Sequence, residues 1–481
     1  MAPSVLWFRR DLRLADHPAL DAARRASGAD GVYGCFVLDD ELLTRSGPAR
    51  AQFLAACLER LDDDMGGRLV LRSGRPEEVV PALAAEVGAE AVFVTGDTAP
   101  YGTARDARVD GALGRDGRRL ERVGTPYAVD PGSVAKSSGE PYRVFTPFRR
   151  AWEALGWPPP LPAPEQVDWR GARSNANPGG IVARSGSRRP RFWEDLPADA
   201  PASMPAPGEE GAHAALERFV DGGLGDYAEA RNLVGQEGSS RLSPYLRFGC
   251  IHPRQVLSSI AGAEKATKDT DVFRSELAWR EFYADVLFHQ PESARSTFGP
   301  GLVHLRWDEG PVAEDRFRRW ALGQTGVPLV DAGMRQLLAE GWVHNRARMV
   351  AASFLVKDLH LDWRWGARWF MYRLVDGDLA SNQHGWQWTA GTGTDAAPFH
   401  RIFNPFLQAE RFDPDGGYVR RYVAELDGMA TKDLHAPGGP VAPGQLAFDG
   451  ASGYPEPIVD HGRERHEALA RFEAARTRGE R

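Results

Sequence analysis

The sequence predicts two unlike parts, a doubly wound parallel α/β domain and then an all-helical one. Three observations carry this. Apolar strand-like runs alternate with amphipathic helical runs over residues 1–135. Residues 136–210 turn proline- and glycine-rich, as in PPPLPAPEQ and LPADAPASMPAPGEEG. From His213 onward, within 211–481, apolar residues recur at three and four spacing and convincing strand patterns are lacking. A chain of 481 residues is also long for a single core.

The elements of the first part follow in order. VLWFRR reads as a buried strand, and PALDAARRA as a helix opened by Pro18. VYGCFVLD is the second strand and AQFLAACLERLDDDM the second helix. RLVLRSG, AEAVFVTGD and RLERVG complete five strands. PEEVVPALAAEVG and the segment from Tyr101 supply the intervening helices. Strand–helix alternation argues for a parallel sheet with right-handed crossovers. No G-x-G-x-x-G follows the first strand, so a dinucleotide fingerprint is absent there. Ligands are still expected past the carboxyl ends of the strands, near Val37, Leu38, Asp39 and Asp97, by analogy of fold alone.

Composition sets outer bounds. The chain is 42% hydrophobic and 26% charged, which excludes disorder for most of it. Formal net charge is −7, so no global basic signal points to nucleic acid, although a local basic patch can hold phosphates. Arginine greatly outnumbers lysine, which suits bidentate phosphate contacts and equally suits a GC-rich coding sequence. Cys35, Cys57 and Cys250 are far apart in sequence and form neither a metal spacing nor a disulfide framework; each reads as a small buried apolar residue. MAPSVLWFRR reaches two arginines after a short apolar run, which is not a signal-peptide pattern, and no run is long enough to span a bilayer. A cytoplasmic location is the expectation.

Chemistry-bearing residues cluster in the helical part. In RNLVGQEGSSRLSPYLRFG, Ser243 reads as a helix cap with Pro244 in the first turn. Ser239, Ser240 and Arg241 just before it could bind an anion, or Arg241 could meet a carboxylate. In SELAWREFYADV, Glu276, Trp279, Arg280 and Tyr283 share one helical face. An acid beside an indole can stack a planar ring and bind its edge; the plain alternative is an i, i+4 pair between Glu276 and Arg280. In GWVHNRARM, Trp342, Asn345 and Met349 share a face, and His344 reads as a structural hydrogen-bonder. Asp376-Gly377-Asp378 breaks the helical run; it lacks the rest of a calcium loop and is either a sugar-binding pair or a solvated turn.

Taken together, LWFRRDLRLADHPAL, SSRLSPYLRFG, ELAWREFY, TGVPLVDAGMRQL, GWVHNRARM, SFLVKDLHLDWR, DGDLASNQHGWQWTAGTGTDAAPF and RIFNP resemble the photolyase and cryptochrome flavoproteins over almost the whole chain. The pattern is most similar to class I cyclobutane pyrimidine dimer photolyases. That resemblance implies a folded FAD in the helical domain. Tyr227 and the run Ser239, Ser240, Arg241, Leu242, Ser243 would hold its phosphate side. Asp376, Gly377 and Asp378 would face the sugar and ring, Arg348 would partner Asp376, and Asn382 would face the reactive ring nitrogen. Trp386, Trp363 and Trp307 would form an electron-hopping chain.

The implied reaction is light-dependent splitting of pyrimidine dimers flipped out of ultraviolet-damaged DNA by an electron from reduced FAD, without sequence preference and by a monomer. Trp279 and Trp388 would sandwich the lesion; Glu276 and Asn345 would bind base edges; Tyr283 and Met349 would complete the wall. Arg231, Arg280, Arg346 and Gln408 would contact the strand. Asn345 stands where relatives that repair (6–4) photoproducts carry histidine. Asn382 stands where cryptochrome blue-light receptors, the alternative reading, often carry an acid or a cysteine. The α/β domain would hold an antenna. Gly102 replaces the glutamate of folate-using relatives, so 8-hydroxy-5-deazaflavin is expected at Val37, Leu38, Asp39, Arg50, Asp97, Arg105 and Arg247. Methenyltetrahydrofolate or an empty site are the alternatives.

Overall fold

The computed structural model describes residues 2–201, 203–262, 268–299, 302–394, 401–436 and 453–479. Five parallel strands form the N-terminal sheet: β1 (Ser4–Phe8), β2 (Val32–Leu38), β3 (Val70–Ser73), β4 (Ala91–Val94) and β5 (Arg119–Arg122). Their spatial order is β3-β2-β1-β4-β5, the doubly wound arrangement read from the sequence. The helices Pro18–Ser27, Pro48–Asp64, Pro76–Glu86 and Pro100–Arg115 connect them. Each begins at a proline, whose fixed φ suits the first turn and whose missing N–H costs no hydrogen bond there. Both faces of β1 are buried. Leu6 and Phe8 enter the core shared with the helical part, and Val5 and Trp7 enter the core beneath the other face, as the two-residue period requires.

The helical part holds the helices Lys268–His289, Pro328–Glu340, Asn345–Ser353, Trp363–Arg373 and Leu379–Ala390. The helix Asn345–Ser353 turns into a π-helical segment at Phe354–Asp358. Among the described residues, all five strands lie in the N-terminal domain. Among the described residues, no helix is long and apolar enough to cross a membrane.

The proline-rich stretch 136–210 is tied into the fold by buried indoles. Its helix Phe145–Leu155 packs on Lys268–His289 and buries Trp152 completely. Trp193 is buried in the core of the helical part. An indole of roughly 200 Å² contributes about 5 kcal/mol of burial before ordering costs, enough to anchor a chain that lacks regular structure.

The two domains share one core cluster, in which Phe53 from the α/β side meets Tyr245 and Phe248 of the other. Cys57 and Cys250, distant in sequence, meet across this junction with Sγ atoms 3.7 Å apart. Polar contacts reinforce it. Arg254 pairs with the fully buried Asp16 at 2.6 Å, and Arg13 donates to the Gly249 carbonyl at 3.0 Å. At the end of β1 the chain turns so that Arg10 reaches Asp378 at 2.7 Å.

Candidate functional site

A cavity of about 610 Å³ opens among the helices, within the size range of small-molecule and cofactor sites. Four segments contribute most of its wall. Lys268–His289 contributes Glu276, Trp279, Arg280 and Tyr283, spaced on one face as the sequence indicated. Tyr227, Arg231 and the run Ser239, Ser240, Arg241, Leu242 and Ser243 form a second side. The third comprises Trp342, His344, Asn345, Arg346, Arg348 and Met349. The fourth comprises Asp376, Gly377, Asp378, Asn382, Gly385, Trp386 and Trp388.

Leu379–Ala390 is a regular helix although it carries a glycine and two tryptophans. Asp378 caps its start by accepting from the Ser381 N–H at 3.1 Å, and left-handed Gly391 ends it. A Cβ at Gly385 would meet nothing within 4 Å, so this position keeps the cavity open. Trp386 packs its ring against Gly366, with Phe370 and Trp320 as ring neighbours at 5.0 and 6.0 Å.

The charged groups are arranged with little slack. Arg348 pairs with Asp376 at 2.8 Å and donates to the Val343 carbonyl at 2.7 Å. The other Asp376 oxygen, Oδ1, is buried and has no hydrogen-bond partner. Such an orphan acceptor beside an open cavity fits a ligand that donates there. Burial alone would raise the Asp378 carboxyl, but Arg10, Arg247 and Arg280 hold it below the usual carboxylate range. Arg247 donates to the Gly377 carbonyl at 2.8 Å. Burial, with Arg10 nearby, lowers its guanidinium to about 10. Asn382 donates Nδ2 to the Ala367 carbonyl at 3.0 Å, which leaves its oxygen for the cavity.

Several expectations change. Ser243 is the first helical residue, not the cap; Leu242 holds the cap position and no side chain caps the helix. Arg241 meets a carboxylate, Glu340, at 3.0 Å, and lies 3.5 Å above the Trp342 ring. Trp342 precedes the helix it was assigned to, which starts at Asn345 with His344 as its cap. Burial lowers His344 to about 4, so it is neutral and its Nδ1 accepts from Arg346 N–H at 3.1 Å. Glu276 pairs with Arg231 at 2.7 Å rather than with Arg280. Arg280 instead donates Nη2 to the carbonyls of Pro126 and Leu246 at 3.1 and 3.2 Å. Arg346 is held by Asn232 Oδ1 at 2.6 Å, and Asn345 Nδ2 lies 3.7 Å from Met349 Sδ.

One face of Trp279 is already covered by Phe145 of the connector, stacked at 3.7 Å and 8°. Only its other face is open to a ligand. Gln408 stands on the helix Pro405–Phe412, outside the cavity lining. Trp363 is buried and Trp307 half-buried in the second core, and neither lines the cavity. Among the described residues neither touches Trp386 ring to ring; Trp320 does, and its place was not legible from the sequence. Residues 395–400 of the TGTDAAPFH stretch lie outside the described residues.

The residues expected at an antenna divide in two. Asp97 pairs with Arg105 at 3.2 Å past the end of β4, and Asp39 accepts from the Tyr101 hydroxyl past the end of β2. The side chains of Val37 and Leu38 are buried in the cores on opposite faces of the sheet, leaving only backbone for a ligand. Arg50 and Arg247 make hydrogen bonds to carbonyls of the helical part, and Arg247 also feels the Asp97 carboxylate. Arg50 donates to the Met371 carbonyl, and burial beside Arg247 lowers it to about 9. A Cβ at Gly102 would lie 2.2 Å from the Asp97 carboxylate, so no larger side chain fits there unless Asp97 moves.

Residues 4–165 match the family model described as DNA photolyase, and residues 273–474 match that of the FAD binding domain of DNA photolyase. The chain is 38% identical to a deoxyribodipyrimidine photo-lyase of Synechococcus, with 96% of this chain and 94% of that protein covered. A bacterial class III photolyase from Agrobacterium tumefaciens superposes with a TM-score of 0.88 at 38% identity, covering 99% and 98%. A Synechocystis cryptochrome superposes with a TM-score of 0.83 at 29% identity, covering 97% and 99%. A class III structure among these matches means that they do not select class I. Sequence, sheet order and cavity agree with both family models: the chain belongs to the photolyase/cryptochrome family.

Proposed function

We propose that the chain is a light-dependent DNA repair enzyme that splits cyclobutane pyrimidine dimers, with FAD held in the helical cavity. The carrying observation is one cavity that joins two kinds of wall. Its lining includes Asp376 with its orphan oxygen, Arg348 and Asn382, and also Glu276, Asn345, Met349 and Trp388. The first set suits a polar heteroaromatic cofactor, and the second suits two linked neighbouring pyrimidines of one strand.

Bound FAD supplies one-electron donation under blue light, chemistry that no side chain offers. The protein's residues do the rest. Tyr227, Ser239, Ser240, Arg241, Leu242 and Ser243 line the side assigned to the phosphates, with Arg241 anchored by Glu340. Asp376 and Asp378 sit where sugar and ring donors would be accepted. Glu276, fixed by Arg231, keeps one carboxylate oxygen for a base edge. Trp388 and the open face of Trp279 stack on the flipped-out dimer; a distorted lesion costs less to unstack than normal bases. Trp386, with Trp363 and Trp307 beyond it, would carry electrons toward a flavin held in the cavity.

Ultraviolet-damaged DNA is bound without sequence preference, by a monomer in the cytoplasm. The class I assignment is part of this reading. The antenna is 8-hydroxy-5-deazaflavin rather than methenyltetrahydrofolate, a choice supported by the crowding of Gly102 against Asp97. Chromophore release and mass analysis test it.

The repair reading is tested by illuminating chemically reduced, FAD-loaded protein with dimer-containing oligonucleotides. Blue light should restore monomer pyrimidines, and darkness should not. A protein that binds FAD, changes its redox state in light and leaves dimers intact would instead be a cryptochrome-type receptor.

A further inference from the structure

The orientation of the Asn382 amide is set from outside the cavity. Its helical neighbour Gln383 does not line the cavity. Gln383 donates Nε2 to the Ala294 carbonyl at 2.6 Å and accepts at Oε1 from Asn382 Nδ2 at 2.9 Å. The same Nδ2 also donates to the Ala367 carbonyl at 3.0 Å.

A backbone carbonyl can only accept. Ala294 therefore determines which end of Gln383 is the NH₂, and the Gln383 oxygen is left facing Asn382. Two acceptors, Gln383 Oε1 and the Ala367 carbonyl, then face one end of Asn382, so that end must be its NH₂. The Asn382 oxygen remains for the cavity, where no donor among the described residues meets it. Flipping Asn382 would replace two hydrogen bonds with two oxygen–oxygen contacts.

We propose that Gln383 is a positioning residue: it locks Asn382 with its oxygen toward the cavity, so the site prefers a ligand that presents N–H there over one that presents a bare nitrogen lone pair. This rests on the FAD reading above. Ring nitrogen N5 of a flavin bears hydrogen when reduced and a lone pair when oxidised. The amide pair thus biases the site toward reduced FAD, the form that repair requires.

The test is a redox titration of the full-length, FAD-loaded protein with dithionite and mediators, read by flavin absorbance. Gln383→Met keeps the length of the side chain and removes both amide contacts. The preference for reduced over oxidised FAD should fall about tenfold, a drop of roughly 30 mV in the two-electron midpoint, with FAD content unchanged. In an Asn382→Ala background the same substitution should cause no further drop. An unchanged midpoint, or an equal drop with and without Asn382, overturns the proposal. Should Gln383→Met fail to fold, Gln383→Asn, one methylene too short to span both partners, must shift the midpoint in the same direction. Unsubstituted protein that takes up no flavin would overturn the FAD reading as well; uptake without the shift overturns only this one.

Discussion

Gly366→Ala sets two known magnitudes against each other at the wall of the cavity. Gly366 is buried within the helix Trp363–Arg373. On helix propensity alone, alanine there would gain about 1 kcal/mol. The added Cβ would however lie 2.1 Å from Trp386 Cη2 and 2.5 Å from Cζ3. Carbon atoms rest roughly 3.5 Å apart, so the indole must retreat by about 1.4 Å. Phe370 and Trp320 already pack on it, and the cavity it lines is the open direction. Overpacking of this kind costs about 1–3 kcal/mol, enough to cancel or exceed the helix gain. The ring would then intrude on the flavin volume, and FAD affinity should fall at least tenfold, about 1.4 kcal/mol. Fluorescence titration of apoprotein with FAD, beside urea unfolding of the same apoprotein, measures both terms. A variant stabilised by the full helix gain and binding FAD as before would show that Trp386 does not lie against Gly366.

Three further outcomes follow from the same geometry. Trp386→Phe should slow photoreduction of oxidised FAD, followed by transient absorption, yet spare repair once FAD is reduced chemically; loss of repair in that state would refute the separation of roles. Glu276→Gln should break the 2.7 Å pair with Arg231 and lower dimer repair severalfold while FAD content stays constant, as checked by product yield per absorbed light and by absorbance. Burial lowers His384 to about 4, with Asp378 opposing, so the unfolded chain takes up a proton below about pH 6.5 that the folded chain refuses until near pH 4. Stability therefore falls as pH drops through that window. His384→Phe should retain the ring packing on Tyr283 and flatten the pH dependence of the urea midpoint by one proton.

The sequence disclosed what local spacing encodes. Proline-opened helices, the two-residue alternation of β1 and the shared face of Glu276, Trp279, Arg280 and Tyr283 are all set by neighbours within a few residues. Misreadings fell where the partner lies far along the chain. Glu276 chose Arg231, 45 residues away, over Arg280, four residues away. Arg50, which the resemblance places beside an antenna, finds its hydrogen-bond partners in carbonyls more than 300 residues later. Trp193 sits in a stretch whose composition reads as linker, and only the tertiary core explains why it is buried. The Ser243 cap failed differently: the motif was present, but the helix began one residue early.

These long-range pairings bear on where the site resides. Asp378 caps the helix that carries Asn382 and Trp386, and it is a buried carboxylate surrounded by arginines. A buried charge persists only when paired, and losing a partner is strongly destabilising. Arg247 and Arg280 come from the helical part, but Arg10, which makes the 2.7 Å contact, comes from the loop after β1. Arg280 in turn is held by the Pro126 carbonyl at the end of the α/β domain. The capping acid of the cavity helix is thus charge-balanced across the domain junction. The helical domain supplies the cavity walls, and the α/β domain supplies part of the electrostatics that hold one wall in place. Its contribution to the site is therefore structural as well as any antenna it carries, and the helices alone should form a looser cavity than the full chain.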